Sequence, residues 1–164
     1  MRDPKPIAGG RALLFERLVD DDPQSQEVEA RPFRALDTRA LRESVRRELS
    51  RLLNTRCHVP VRLLAGAERG VTNYGLPDFS SLSSLSGDDC KRLGALVAGA
   101  VAAFEPRLGG VRVEAKRAEA AHDRTVYLRI EAVLETGLVP EPVSFRVRVK
   151  TKTGEAEVDE DGTE

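Results

Sequence analysis

Pro106 divides the chain into two kinds of pattern. A small, apolar segment with helical spacing leads up to it, and strictly alternating segments follow it. Proline donates no backbone N–H and disfavours helical geometry at the preceding residue, so a helix entering Phe104-Glu105-Pro106-Arg107-Leu108 stops here. The stop leaves a carboxylate and a guanidinium two residues apart, at the seam between a helix layer and a sheet layer. Either charge is buried only if it is paired. On composition alone the ordinary outcome is a solvated turn, because charged side chains are seldom buried.

Beyond the seam, Val111, Val113 and Ala115 alternate with Arg112, Glu114 and Lys116. Val126, Leu128, Ile130, Ala132 and Leu134 do the same, and so do Val143, Phe145, Val147 and Val149. Period two with one apolar face predicts half-buried strands. Short polar connections favour an antiparallel meander. Arg146, Arg148 and Lys150 blunt the last strand if it forms an edge.

Ahead of the seam, Leu41, Val45, Leu49, Leu52 and Leu53 predict a helix over 37–53, capped by Asp37 or Thr38. Its other face carries a Glu43/Arg47 pair at i,i+4 with Arg39, Arg42, Arg46 and Arg51, which reads as a cationic outer surface. Such a face is usually just solvated; an acidic partner or a phosphate path is the functional alternative. A second helix spans about Asp88–Phe104, with Ser86 and Asp89 as a variant capping box. Its Gly and Ala positions make it slender enough to approach a sheet closely. Residues 54–87 are dense in turn formers, with Tyr74, Leu76, Phe79 and Leu82 interleaved, which predicts an ordered loop. Val61, Leu63 and Leu64 are expected to tuck into the core.

The fold class is therefore α+β: a single small domain over 12–152, with two main helices on one face of an antiparallel sheet of three or more strands. Residues 1–11 read as a flexible N-terminus, 20–35 as a polar linker and 153–164 as an acidic, disordered tail. Between these polar flanks lies Leu13-Leu14-Phe15-Glu16-Arg17-Leu18-Val19, an apolar island too short for a stable lone helix. It is expected to dock on a partner, which makes Leu13, Leu14, Phe15 and Leu18 candidate binding residues.

Several classes of function lose support. Aromatics are scarce, with five Phe and two Tyr, and no Trp exists to build a sugar-stacking cleft. A net charge of −1 provides no global field for nucleic acid or membrane. Cys57 and Cys90 lack zinc or disulfide spacing, and His58 and His122 are isolated, so no metal or other cofactor is expected. No leader and no run near the ~18 apolar residues of a membrane span is visible. The expectation is a cytoplasmic, reduced protein.

The order of segments resembles the TssE family, baseplate proteins of bacterial type VI secretion systems. That family is similar to a wedge protein of contractile phage tail baseplates, historically labelled lysozyme-like. The resemblance rests on Leu13-Leu14-Phe15-Glu16-Arg17-Leu18, Ser44-Val45-Arg46-Arg47-Glu48-Leu49 with Leu52-Leu53-Asn54-Thr55-Arg56, Asn73-Tyr74-Gly75-Leu76-Pro77-Asp78-Phe79, Phe104-Glu105-Pro106-Arg107-Leu108 and Glu141-Pro142-Val143. It covers roughly residues 12–151, and the third and fourth segments in this order carry most of its specificity. It implies a cytoplasmic structural part, assembled at the inner face of the inner membrane. It implies TssF- and TssG-like wedge subunits as partners, and sheath subunits of TssB/TssC type joined by strand addition. Glu105, Pro106 and Arg107 match the motif associated with wedge attachment. Arg146 and Arg148, on the terminal strands that resemble the edge extended by the sheath, join them as candidate partner-binding residues.

The lysozyme label makes a peptidoglycan-acting glycosidase the alternative. A retaining enzyme needs two carboxylates about 5 Å apart, one of them held protonated. An Arg beside Glu105 favours the ionised form, which is the wrong direction for a general acid. No nucleophile-elbow, zinc-protease, P-loop or dinucleotide motif appears. A phosphate-binding module built on the Arg-rich helix is weaker still, because no aromatic platform accompanies it. A scaffold role is the reading the sequence favours.

Overall fold

The computed structural model describes residues 10–18, 24, 35–64, 69–117, 124–135 and 139–161. In chain order the elements are β1 (Gly10–Arg11), α1 (Leu14–Leu18), β2 (Ala35–Leu36), α2 (Thr38–Asn54), β3 (Arg56–Cys57), α3 (Val61–Leu64), β4 (Leu76–Pro77), α4 (Gly87–Phe104), β5 (Leu108–Arg117), β6 (Thr125–Leu134), β7 (Glu141–Lys150) and β8 (Ala156–Glu160).

Each main helix starts at the cap its sequence offers. The Asp37 carboxylate accepts the Ala40 N–H at 2.8 Å and opens α2. Ser86 Oγ accepts the Asp89 N–H at 3.2 Å and opens α4. Asp89 itself accepts from the Ser83 N–H at 3.1 Å, tying the helix back to its loop. Leu41, Val45, Leu49, Leu52 and Leu53 of α2 are buried, as are Leu93, Val97, Ala100 and Val101 of α4. A Cβ added at Gly94 would lie 3.4 Å from the Ala115 Cβ, so the small residues of α4 do allow close approach to β5.

The large sheet is an antiparallel meander in the order β5-β6-β7-β8. Its inner face presents Val126, Leu128, Ile130 and Leu134 of β6 with Val143, Phe145, Val147 and Val149 of β7, all buried. At roughly 1.5–3 kcal/mol for each large apolar side chain, these two central strands and the buried stripes of α2 and α4 together make the core. Packing places α4 against β5 and α2 against β8. The architecture is thus α+β, with two main helices on one face of an antiparallel sheet.

Three expectations change at the margins. The region expected to be a disordered tail, 153–164, contains β8, whose Ala156 and Val158 are buried beside β7. Consequently β7 is an interior strand, and Arg146, Arg148 and Lys150 do not blunt an edge. They meet the acidic residues of the C-terminal segment instead: Arg148 pairs with Glu157, and Lys150 lies 3.0 Å from Glu155. At the other end, Gly10–Arg11, placed in the flexible N-terminus, pairs antiparallel with Ala35–Leu36. Residues 1–9, most of the expected linker and the end of the tail at 162–164 lie outside the described residues, as does His122.

The cationic face of α2 is also different from its reading as a purely solvated surface. Arg42 and Arg46 reach down to the sheet: Arg42 pairs with Glu141 and, at 3.2 Å, with Glu160. Arg46 Nη1 donates to the Val158 carbonyl at 3.1 Å. The described part of the loop after α2 contains a short parallel β3–β4 pairing, while residues 65–68 lie outside the described residues. Val61 and Leu63 stay exposed there rather than tucking into the core, because the single turn of α3 buries none of its residues.

Candidate functional site

The helix stop at Pro106 builds a closed charge pair. α4 ends as expected, with the Glu105 N–H still donating to the Val101 carbonyl at 2.9 Å. The Leu108 N–H then donates to the Glu105 carbonyl at 3.1 Å, folding Pro106 and Arg107 into a turn. That turn brings the guanidinium back onto the carboxylate two residues earlier. Arg107 Nε donates to Glu105 Oε1 at 2.7 Å and Nη2 to Oε2 at 2.6 Å. The Arg107 backbone N–H adds a longer contact to Oε1 at 3.3 Å. This is the parallel, bidentate fork that only Arg makes with a carboxylate.

The pair is nearly dry. The two side chains are 13% and 5% exposed, while Pro106 between them faces solvent. The third direction of the guanidinium is also used: Nη1 donates to Ser44 Oγ at 2.7 Å. Ser44 is fully buried on α2, so the latch ties the end of α4 to the middle of α2 across the helix layer. In the folded chain the fork closes internally, between two residues of the motif matched to wedge attachment. Ser44 was missed. Its signal was a small polar residue within the apolar stripe of α2, beside Val45 and one turn from Leu41.

The second motif braces the same end of the molecule. Gly75 has φ +107, and a Cβ there would sit 2.5 Å from the Thr55 carbonyl oxygen. Only glycine fits this close approach. The turn lets the Leu76 N–H donate to that carbonyl at 2.9 Å, which closes the end of α2 onto β4. Tyr74 then meets Phe104 edge to face, with centroids 5.0 Å apart. Arg69 lies 5.0 Å over the same Phe104 ring, and Arg56 lies 4.6 Å over Phe79. Burial pushes the Tyr74 phenol above its ordinary value. The two most specific motifs thus touch through Tyr74 and Phe104, immediately before the latch.

The other candidate residues are not brought to this site. Arg146 and Arg148 project from the outer face of β7, where Arg146 Nε lies 3.0 Å from Asp161 and Arg148 pairs with Glu157. They line a groove with Glu114, Lys116, Tyr127 and Arg129. Leu14 and Leu18 of α1 are 67% and 74% exposed, Leu13 is half-buried, and the side chain of Phe15 lies outside the description. His58 is exposed, and Cys57 and Cys90 are buried free thiols. Among the described residues no cluster of His, Cys, Asp and Glu has the makings of a metal site.

As chemistry, the latch offers a structural joint. Both oxygens of Glu105 are held by Arg107, in a buried position under α2. A model of the family described as baseplate wedge protein gp25 matches residues 39–137. The match takes in α2, the Tyr74 loop, α4, the latch, β5 and β6. No curated protein and no solved structure matches the chain.

Proposed function

The chain belongs to the baseplate wedge protein gp25 family, and from that membership we propose that it is a non-enzymatic structural component of a type VI secretion baseplate. In this role it joins TssF- and TssG-like wedge subunits to the contractile sheath, whose TssB/TssC-like subunits add strands to its sheet. The observation that carries the reading is the Glu105–Arg107–Ser44 latch. The most chemical-looking motif of the chain is consumed in fixing one helix to another. The exposed turn at Pro106 is then a rigid surface feature available to a wedge subunit. Exposed Leu14 and Leu18 on α1 offer a second, apolar contact.

The same observation counts against the lysozyme-like alternative. A general acid must reach its substrate, whereas Glu105 is buried with both carboxyl oxygens engaged by Arg107. No cofactor, nucleic acid or membrane insertion belongs to this role. Among the described residues no helix is long and apolar enough to cross a membrane, and we place the chain in the cytoplasm, against the inner membrane through the baseplate. Co-purification from cells expressing the wedge subunits tests the proposal. Stable association with TssF- and TssG-like subunits, with no peptidoglycan turnover, is expected. Turnover that vanishes in Glu105→Gln would overturn it.

A further inference from the structure

The two edges of the four-stranded sheet are finished differently. Backbone alternation says which groups each edge turns outward. The Lys150 N–H donates to the Glu155 carbonyl and the Asp161 N–H to the Ser144 carbonyl, each at 2.9 Å. Even-numbered β7 residues therefore face β8, and odd-numbered ones face β6. Their β6 partners are Val126, Leu128 and Ile130, which leaves Tyr127, Arg129 and Glu131 to face β5. Those three are opposite Lys116, Glu114 and Arg112. The N–H and C=O groups of Val113 and Ala115 must then point away from the sheet.

On the β8 edge the outward groups belong to Ala156 and Val158, and α2 covers them. The Asn54 side-chain amide donates to the Ala156 carbonyl at 2.8 Å and accepts its N–H at 3.0 Å. Arg46 takes the Val158 carbonyl. Nothing equivalent happens on β5: among the described residues, no group bonds the outward backbone of Val113 or Ala115. Instead a groove of about 420 Å³ runs beside them, floored by the small residues Gly94, Ala95 and Ala98 of α4. Beyond the register shift between Gly109 and Arg112, β5 pairs with β6 without interruption to Arg117, so the outward groups of Val113 and Ala115 lie on one regular stretch.

We propose that the β5 edge, and not the terminal β8 edge, accepts an extended strand from a partner protein. This inference rests on reading the chain as a baseplate component and names the surface and the chemistry of what joins it. Backbone bonds to Val113 and Ala115 supply the joint. Side chains opposite these two lie over the small face of α4 and must be apolar. Those opposite Arg112, Glu114 and Lys116 face solvent, and complementarity requires an acid, a base and an acid. That order reads the same from either end, so it holds for both strand directions. β6 already follows it, with Glu131 opposite Arg112 and Arg129 opposite Glu114. A second β5 centred on Glu114 would instead place Glu114 against Glu114 and Arg112 against Lys116, which like charge disfavours.

The test uses the full chain and a synthetic peptide of alternating valines with aspartate, lysine and aspartate between them. Hydrogen exchange should show new protection at Val113 and Ala115 and none at Ala156 or Val158. Val113→Pro removes an outward donor at an edge position that tolerates proline, and should weaken binding about fivefold or more. Glu114→Arg should weaken it too, and a peptide with aspartate in the central charged position should restore it. Protection at β8, no protection anywhere, failure of that rescue, or self-association through β5 would each overturn the proposal. The underlying reading is separable. If wild-type chain co-purifies with wedge subunits while Val113→Pro captures sheath normally, the edge is wrong and the wedge role stands. If wild-type chain joins neither, the role itself fails.

Discussion

Asn54 acts toward Ala156 as a neighbouring strand would: its amide meets both backbone groups of that residue, at 2.8 and 3.0 Å. The last residue of α2 thereby seals the outermost strand of the sheet. Asn54→Ala leaves both groups of Ala156 without this partner, in a part-buried setting. We expect a loss of about 1–3 kcal/mol, seen in thermal or urea unfolding, with faster amide exchange at Ala156. Asn54→Asp should also destabilise, because a carboxylate has no N–H for the Ala156 carbonyl. Unchanged exchange in both variants would show that the amide does not hold the edge.

Exposed ion pairs add to the burial and backbone pairing that hold the C-terminal segment, and pH should loosen it selectively. The hydrogen bond from Lys150 keeps the Glu155 carboxyl below its ordinary value, and that from Arg148 does the same for Glu157. A carboxyl whose folded value is depressed stabilises the fold above its unfolded value. That contribution is lost as pH falls through the depressed folded value, and not on the alkaline side. Exchange at β8 should therefore accelerate relative to β6 as pH drops from about 5 toward 3. Because these pairs are exposed, molar salt at neutral pH should mimic part of the effect. Uniform loosening of all four strands would contradict this.

What could be read in the sequence followed strong local periodicity. Leu41 to Leu53 and the β6 and β7 alternations each bury one face, so pattern and fold agree. The stop at Pro106 was equally legible, since it depends only on a missing N–H. β8 escaped because Ala156 and Val158 are the only buried residues of a segment otherwise acidic. Its strand state depends on Arg148, Lys150, Arg46 and Asn54, residues far away in sequence. Ser44 was hidden in a similar way, as a polar member of an apolar stripe explained by an Arg 63 positions later. Long-range polar satisfaction is what a one-sequence reading recovers least.

Gly75 is where the loop closes most tightly on α2. An added methyl would both meet the Thr55 carbonyl at 2.5 Å and resist φ +107. Gly75→Ala should cost at least about 1–3 kcal/mol, and it should release Tyr74 from Phe104. Comparison with Gly99→Ala, where nothing lies within 4 Å of the added methyl, provides the control in calorimetry. That helical, exposed change should be neutral or stabilising. Equal effects at both sites would remove the argument from close approach.

The latch makes the sharpest claim about the candidate site. Arg107→Ala strands a carboxylate that is only 5% exposed and removes the hydrogen bond that Arg107 donates to Ser44 Oγ. Removing one member of a buried pair typically costs about 3–5 kcal/mol. For a chain of this size each kcal/mol moves the midpoint by about 2–4 °C, so the isolated protein should melt roughly 6–20 °C lower. Arg107→Lys keeps the charge but not the fork, and should fall between wild type and Arg107→Ala. Ser44→Ala removes the third contact of the guanidinium and should cost about 1–3 kcal/mol. Replacing both Glu105 and Arg107 by leucine removes both charges together. That double variant should be more stable than Arg107→Ala, because no buried charge is left unpaired. An unchanged midpoint in Arg107→Ala, with wedge association lost, would mean that the fork serves a partner rather than α2.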